Sequence, residues 1–245
     1  MKNIKLYPCF KHWLEYDSIK IISDTHFDDS DCKYMNPNWI LPEEHMKILK
    51  KELNKQTVLI HLGDVGNVSY LNELKCYKVL ITGNHDKSPS SYKRTIKEEI
   101  YNADIFSSKE LKIKLLKENP FCTVDLYESF ELHAPFHRWI AKIDNHLFDE
   151  IYTGPLFIAD RILLSHEPIY GLEEFCVNIH GHVHNGAYKE YNVLSNNYTH
   201  INMASDVCDF TPIDLGKEIK NGLISNIPNY HRITIDNAIL NPIKE

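Results

Sequence analysis

Nowhere in the 245 residues do two cysteines stand in a CxxC pair. The six cysteines, Cys9, Cys32, Cys76, Cys122, Cys176 and Cys208, are scattered, a spacing that suits neither a zinc ribbon nor a dense disulfide framework. They are expected as free thiols, mostly small core residues, in a reducing compartment. A long basic run is missing too, and the formal charge is −7. Proteins that grip duplex DNA usually carry a strongly basic face, so the bulk charge disfavours a nucleic-acid partner without excluding a local positive site. Apolar stretches stop well short of the roughly 20 residues that cross a bilayer, so no membrane partner is expected. The opening stretch MKNIKLYPCFKHWLEYDSIK has no uninterrupted apolar core, so no secretory leader is read there and a cytoplasmic location is expected. Internal repeats, low-complexity segments and evident linkers are absent as well.

What is present is an ordinary globular composition, 43% hydrophobic and 25% charged. The length suits one well-cored α/β domain or two small ones. Short β-branched apolar runs end abruptly in polar residues: IKIIS (19–23) at DTH, TVLIHL (57–62) at GD, CYKVLIT (76–82) at GNHD, RILLS (161–165) at HEP, and FCVNI (175–179) at HGHVH. Such runs read as buried strands. LPEEHMKILKKELNK (41–55) repeats Met46, Leu49 and Leu53 at helical spacing behind the helix-starting Pro42. NVSYLNELK (67–75) reads as a short helix. Strands alternating with helices predict βαβ units and a largely parallel sheet.

Residues 87–155 break the rhythm and read as a mostly helical insertion in a single domain. One or two lysine-rich helices are expected over 92–119. Over 135–152, Phe136, Trp139, Ile140, Ile143, Leu147 and Ile151 form a helical stripe. FIADRILLS then predicts a hairpin turning at Asp160–Arg161, THINMAS (199–205) a strand, LGKEIKNG a helix and HRITIDNAIL a last strand.

The informative pattern is where residues able to hold a metal fall. Asp24 and His26, Asp64, Asn84 and His85, His166, and His182 with His184 each come just after a predicted strand. In open α/β sheets, ligands bind outside the carboxyl ends of the strands. All these donors are oxygen or imidazole and none is a thiol, which suits manganese, iron, nickel or zinc. Taken singly, each motif has an ordinary reading: DTH and GD are common turn chemistry, and a histidine before proline is often a satisfied core residue. In HGHVH the alternation sends His180, His182 and His184 the same way on an extended chain, as a metal site or as a polar strand end. The order and context of all five motifs together favour metal.

That ordered set, SDTHF, LGDV, TGNHD, SHEP and HGHVH, resembles the calcineurin-like metallophosphoesterase superfamily, and small bacterial and phage phosphoesterases most. The chain lacks the GDxVDRG and RGNHE boxes of the Ser/Thr protein phosphatases, having GDVGNVS and TGNHD instead. The resemblance implies a four-layer α/β/β/α sandwich and two divalent ions, manganese first, with iron, nickel or zinc as alternatives. It implies that Asp64 bridges the ions, with Asp24, His26 and His184 on the first and Asn84, His166 and His182 on the second. His180 is then the end of the strand. It further implies hydrolysis of a small phosphomonoester or phosphodiester by a bridging hydroxide, with His85 steadying the transition state or protonating the leaving oxygen and Asp86 orienting it. Two divalent ions would outweigh the two carboxylates and leave about +1 beside the hydroxide, favourable for a phosphate. A nuclease with the same metal pair and a non-catalytic scaffold are the rival readings; relatives that became scaffolds usually lose ligands, and all are present here.

In the insertion, Arg138 is a candidate phosphate fork beside His133, His137 and His146. The simpler reading packs the apolar stripe on the domain, and a third makes Trp139 a dimer contact. Lys109, Lys112, Lys114 and Lys117 read as a solvated helix face.

Overall fold

A computed structural model describes residues 10–12, 15–92, 95–119, 122–130, 137–145, 147–159, 161–184 and 199–228. The first elements are β1 (Ser18–Ile22), α1 (Cys32–Met35), α2 (Pro42–Glu52), β2 (Thr57–His61), a 3₁₀ turn (Val68–Glu73) and β3 (Tyr77–Ile81). Next come β4 (Thr95–Asn102), α3 (Ser108–Glu118), β5 (Thr123–Phe130) and β6 (His137–Asn145). The last are β7 (Glu150–Tyr152), β8 (Leu156–Ile158), β9 (Ile162–Leu164), β10 (Val177–His180), β11 (His200–Asn202), β12 (Ile213–Asp214) and α4 (Leu215–Lys220).

Two sheets carry the main body. One has the order β12-β1-β2-β3-β7 and the other β11-β10-β9-β8. Within each, the strands run parallel except for one antiparallel edge, β12 against β1 and β8 against β9. Strand alternation decides the layering. Ile19, Ile21, Val58, Ile60, Val79 and Ile81 on one face of the first sheet join Leu156, Ile162, Leu164, Val177 and Ile179 of the second in one core. The other face presents Ile22, Leu59 and Leu80 to Met46, Leu49 and Leu53 of the α2 segment and to Leu71 and Leu74 of the 3₁₀ turn. Helix α2 starts where Pro42 has no N–H to lose, and the Glu44 carboxylate accepts the Leu41 N–H at 3.2 Å. These are three of the four expected layers. Among the described residues no helix is long and apolar enough to cross a membrane.

The expected mostly helical insertion is corrected. Residues 95–102, 123–130 and 137–145 form an antiparallel sheet of order β4-β6-β5, and among the described residues of the segment helix is confined to a 3₁₀ turn at Pro89–Tyr92 and to α3. Leu111 and Leu115 of α3 pack on Val124, Ala141 and Ile143 in a core of their own. Ser107 and Glu110 cap α3 reciprocally, the Ser107 Oγ accepting the Glu110 N–H at 3.3 Å and the carboxylate accepting the Ser107 N–H at 3.1 Å. The misreading over 135–152 has a physical cause. Trp139 and Ile143 are four apart, which puts them on one face of a helix and equally on one face of a strand. Pairing with β4 and β5 on both sides settles it as a strand, with Ala141 between them on the buried face. β7 also falls within the stretch expected as helix, α1 and β12 were not expected, and the other expected elements among the described residues fall within a few residues of their predicted positions. The expected strand HRITIDNAIL, together with Asp160, His133 and His146, lies outside the described residues.

Ile60→Ala would open a void between the two main sheets and is expected to cost about 2–5 kcal/mol in urea unfolding. Leu115→Ala should accelerate amide hydrogen exchange across 95–145 while leaving β1 to β3 as protected as before. Equal loss of protection in both regions would show that the two cores unfold as one.

Candidate metal centre

Five strand ends meet where the two main sheets are stitched together. The Ser23 N–H donates to Met203 O at 2.8 Å and the Ser205 N–H to Ser23 O at 3.0 Å, joining the tips of β1 and β11. The Asp24 N–H donates to Gly63 O at 3.0 Å and the His26 N–H to Asp64 O at 3.1 Å, joining the turns after β1 and β2. The backbone there is unusual. Asp24 (φ 52°), His26 (φ 41°), Asp64 (φ 54°), His182 (φ 70°) and His184 (φ 41°) all adopt the left-handed conformation, which L-residues avoid and functional sites concentrate. The reversals aim these side chains back across the strand ends.

Two groups of donors frame the centre, each with its atoms within 4.8 Å of one another: Asp24, His26 and His184, and Asp64, His166 and His182; a third among the described residues, His26, Asp29 and Cys32, shares His26 with the first. In the first, His26 Nε2 and His184 Nε2 stand 3.9 and 3.6 Å from Asp24 Oδ1. In the second, His166 Nε2 is 3.3 Å from Asp64 Oδ2, and His182 Nδ1 is 3.2 Å from His166 Nε2. Asn84 joins this second group, its Oδ1 2.9 Å from His166 Nε2 and 3.1 Å from His182 Nδ1. Asp64 Oδ2 also lies 3.8 Å from His26 Nε2, so one carboxylate oxygen faces both groups.

The far ring nitrogens decide which atom faces inward. His166 Nδ1 donates to Leu62 O at 2.8 Å, His184 Nδ1 is 3.0 Å from Asp206 Oδ1, and His26 Nδ1 is 3.2 Å from Asp29 Oδ2. Carbonyls and carboxylates accept, so the Nδ1 atoms carry protons and each neutral ring presents an Nε2 lone pair to the centre. Asp29 and Asp206 are histidine partners that sequence reasoning missed. The signal for Asp29 lay in its place three residues after His26; that for Asp206 lay only in tertiary contact.

Asp86 is a second correction. It does not orient the His85 ring. Its two oxygens accept the N–H groups of Gly83 and Asp64 at 2.9 Å each and of Val65 at 3.1 Å, locking the GD and GNHD turns together. The His85 N–H donates to Asp64 Oδ1 at 2.9 Å, and its exposed ring stands 5.6 Å from that of His26. His180 is fully buried at the end of β10, its ring 6.1 Å from that of His200, and it joins neither donor group. Arg138 pairs across the insertion sheet with Asn102 and Ser129, and no donor group among the described residues includes a residue of that sheet. Gly181 is a matter of space: a Cβ there would fall 2.1 Å from Asp24 Oδ2.

The donor set fits cations. Asp24 Oδ1 and His26 Nε2 are buried and have no hydrogen-bond partner among the described residues, although orphaned buried polar atoms are costly. Both point into the first group. Burial pushes the Asp64 carboxyl up, but hydrogen bonding and charge from His166, then the His85 N–H, bring it down to about 2. Burial lowers His166, and the Asp64 and Asp24 carboxylates more than reverse this, raising it to about 9. His184 is likewise raised, against burial, by Asp206 and Asp24. Protons on imidazoles thus supply the positive charge that divalent ions would bring.

Residues 18–195 match the family described as calcineurin-like phosphoesterase. The chain is similar in structure to a crystal structure of a protein of unknown function from Aquifex aeolicus. That similarity has a TM-score of 0.51 and 25% identity and covers 83% of this chain and 98% of the other. No curated protein matches the sequence.

Asp206→Asn should weaken metal affinity about 10- to 100-fold, the usual effect of removing the partner of a ligating histidine, as read by competition with a chelator. Coordination needs unprotonated rings, and the proton on His166 persists to about pH 9. Apparent affinity should therefore rise between pH 6 and pH 8 with measurable proton release. A flat profile would remove His166 from the ligand set.

Proposed function

We propose, from the premise that the chain belongs to the calcineurin-like phosphoesterase family, that it hydrolyses a phosphomonoester or phosphodiester with the help of two divalent ions, manganese foremost. The observation that carries this reading is the Asp64 carboxylate oxygen facing both donor groups. Asp24, His26 and His184 would hold one ion, Asn84, His166 and His182 the other, and Asp64 both. When bound, the ions supply the concentrated positive charge that makes a water nucleophilic and neutralises the phosphate oxygens.

This chain's own residues do the rest. Asp206, Asp29 and the Leu62 carbonyl hold the imidazoles in the tautomer and orientation that coordination needs. Asp86 fixes the two turns that carry Asp64 and Asn84. His85, exposed at the mouth and anchored through its own N–H, is placed to hand a proton to the departing oxygen. The incoming water gives a proton to solvent as its oxygen bonds to phosphorus, the ester P–O bond breaks in line, and the alcohol leaves with the His85 proton, which solvent replaces. Small phosphoesters are the substrate class that an open site in a chain of charge −7 suits best.

Turnover of chromogenic phosphomonoesters and phosphodiesters with manganese, iron, nickel or zinc supplied, beside metal analysis, tests the proposal. Asp64→Ala should lose both metal and turnover. His85→Ala should keep its metal and lose about 100- to 10,000-fold in rate. Full activity in His85→Ala would remove its proton-transfer role, and a metal-loaded wild type inert to every ester would defeat the reading itself.

A further inference from the structure

A cavity of 360 Å³ opens beside the first donor group, within the size range of small-molecule sites. His26 forms part of its lining, Phe27, Trp39, Ile40, Leu41 and Pro42 make an apolar side, and Asp28, Asp29, Ser30 and Lys33 are among the polar residues of the rest. Trp39 is its central feature. Its half-buried ring stands edge-on to His26 at 6.1 Å and tilted against His184 at 5.9 Å, touching two members of the first group. Behind it an aromatic frame fixes its position. Phe210 meets Trp39 at 5.5 Å and the buried His45 at 5.4 Å, and His45 meets Phe27 at 5.3 Å. The loop leading into this wall is pinned as well, Asp28 accepting from Asn67 Nδ2 at 2.6 Å and from the Tyr70 hydroxyl at 3.0 Å. The cavity is therefore preformed.

We infer that this cavity receives the leaving group of the substrate, that the preferred leaving alcohol carries a flat aromatic ring, and that Trp39 determines that preference. The inference rests on the phosphoesterase reading and deepens it. The His85 ring, proposed to protonate the departing oxygen, lies 5.6 Å from His26, which is itself part of the cavity wall. A polyhydroxyl alcohol would shed its hydration against Ile40, Leu41 and Pro42, which return no hydrogen bond, whereas a flat ring gains area and edge-to-face contact at Trp39. Asp28 and Asp29 outnumber Lys33 along the lining, which disfavours a second phosphate on the leaving group.

The test uses the full chain supplied with manganese. Calorimetric titration with benzylphosphonate and ethylphosphonate reads the pocket without turnover, and hydrolysis of benzyl and ethyl phosphate, whose alcohols are of similar acidity, reads it in catalysis. The wild type should favour the benzyl compound about 10- to 100-fold in both, the value of burying one ring. Trp39→Ala should lose most of that preference at unchanged metal content, and Trp39→Phe should keep most of it. Leu41→Ala, at the exposed lip, is a second variant that should lower the preference about 2- to 5-fold. Equal binding of the two phosphonates by the wild type, no binding of benzylphosphonate, or a preference that survives both alanine variants would overturn the inference. Selective phosphonate binding by a manganese-loaded protein inert to every phosphomonoester and phosphodiester would leave the pocket assignment standing and defeat the phosphoesterase reading alone.

Discussion

Two carboxylates and two imidazoles are buried together where two β-sheets meet, with two half-buried imidazoles at their edge, and the rest of the molecule is organised around that concentration of charge. Asp24 is sealed from solvent and Asp64 nearly so; ionised carboxylates survive in such places only when paired or coordinated. Asp64 meets the requirement by lying between the two histidine groups, so that one charge serves both. Asp24 leaves one oxygen without a hydrogen-bond partner among the described residues, which is the demand a cation would satisfy.

Holding this arrangement open costs backbone strain, since five of the donor residues take left-handed conformations. The surrounding structure over-determines them. Backbone hydrogen bonds zip the turns after β1 and β2, a second stitch joins the tips of the two sheets, and Asp86 gathers three N–H groups from the turns after β2 and β3. The packed interior between the sheets makes the junction stiff, because strand ends embedded in a close-packed core cannot drift independently.

Around this shared centre, two features belong to this chain in particular. The insertion is a small three-stranded sheet with one helix and its own core, rooted near the centre where Tyr92 packs on Phe148 and its hydroxyl accepts the Lys87 N–H two residues beyond His85. The loop after β1 builds an aromatic wall against His26 and His184.

The amino-acid order alone was enough to locate the central strands of the main body (though not its edge strands β7 and β12), the helix behind Pro42 and every residue of the two donor groups. Each of those signals is local: an apolar run stopped by a polar turn, or histidines at alternate positions. It could not distinguish helix from strand at 137–145, because Trp139 and Ile143 satisfy both periods and only the flanking strands choose between them. Nor could it assign Asp29, Asp206 and Asp86, whose roles depend on which imidazole or N–H comes within hydrogen-bond reach. Asp206 meets His184 from 22 positions away, and Asp86 meets Asp64 from 22. Composition along a chain records what each residue can donate or accept; which partner it finds is set by how the sheets bring distant turns together.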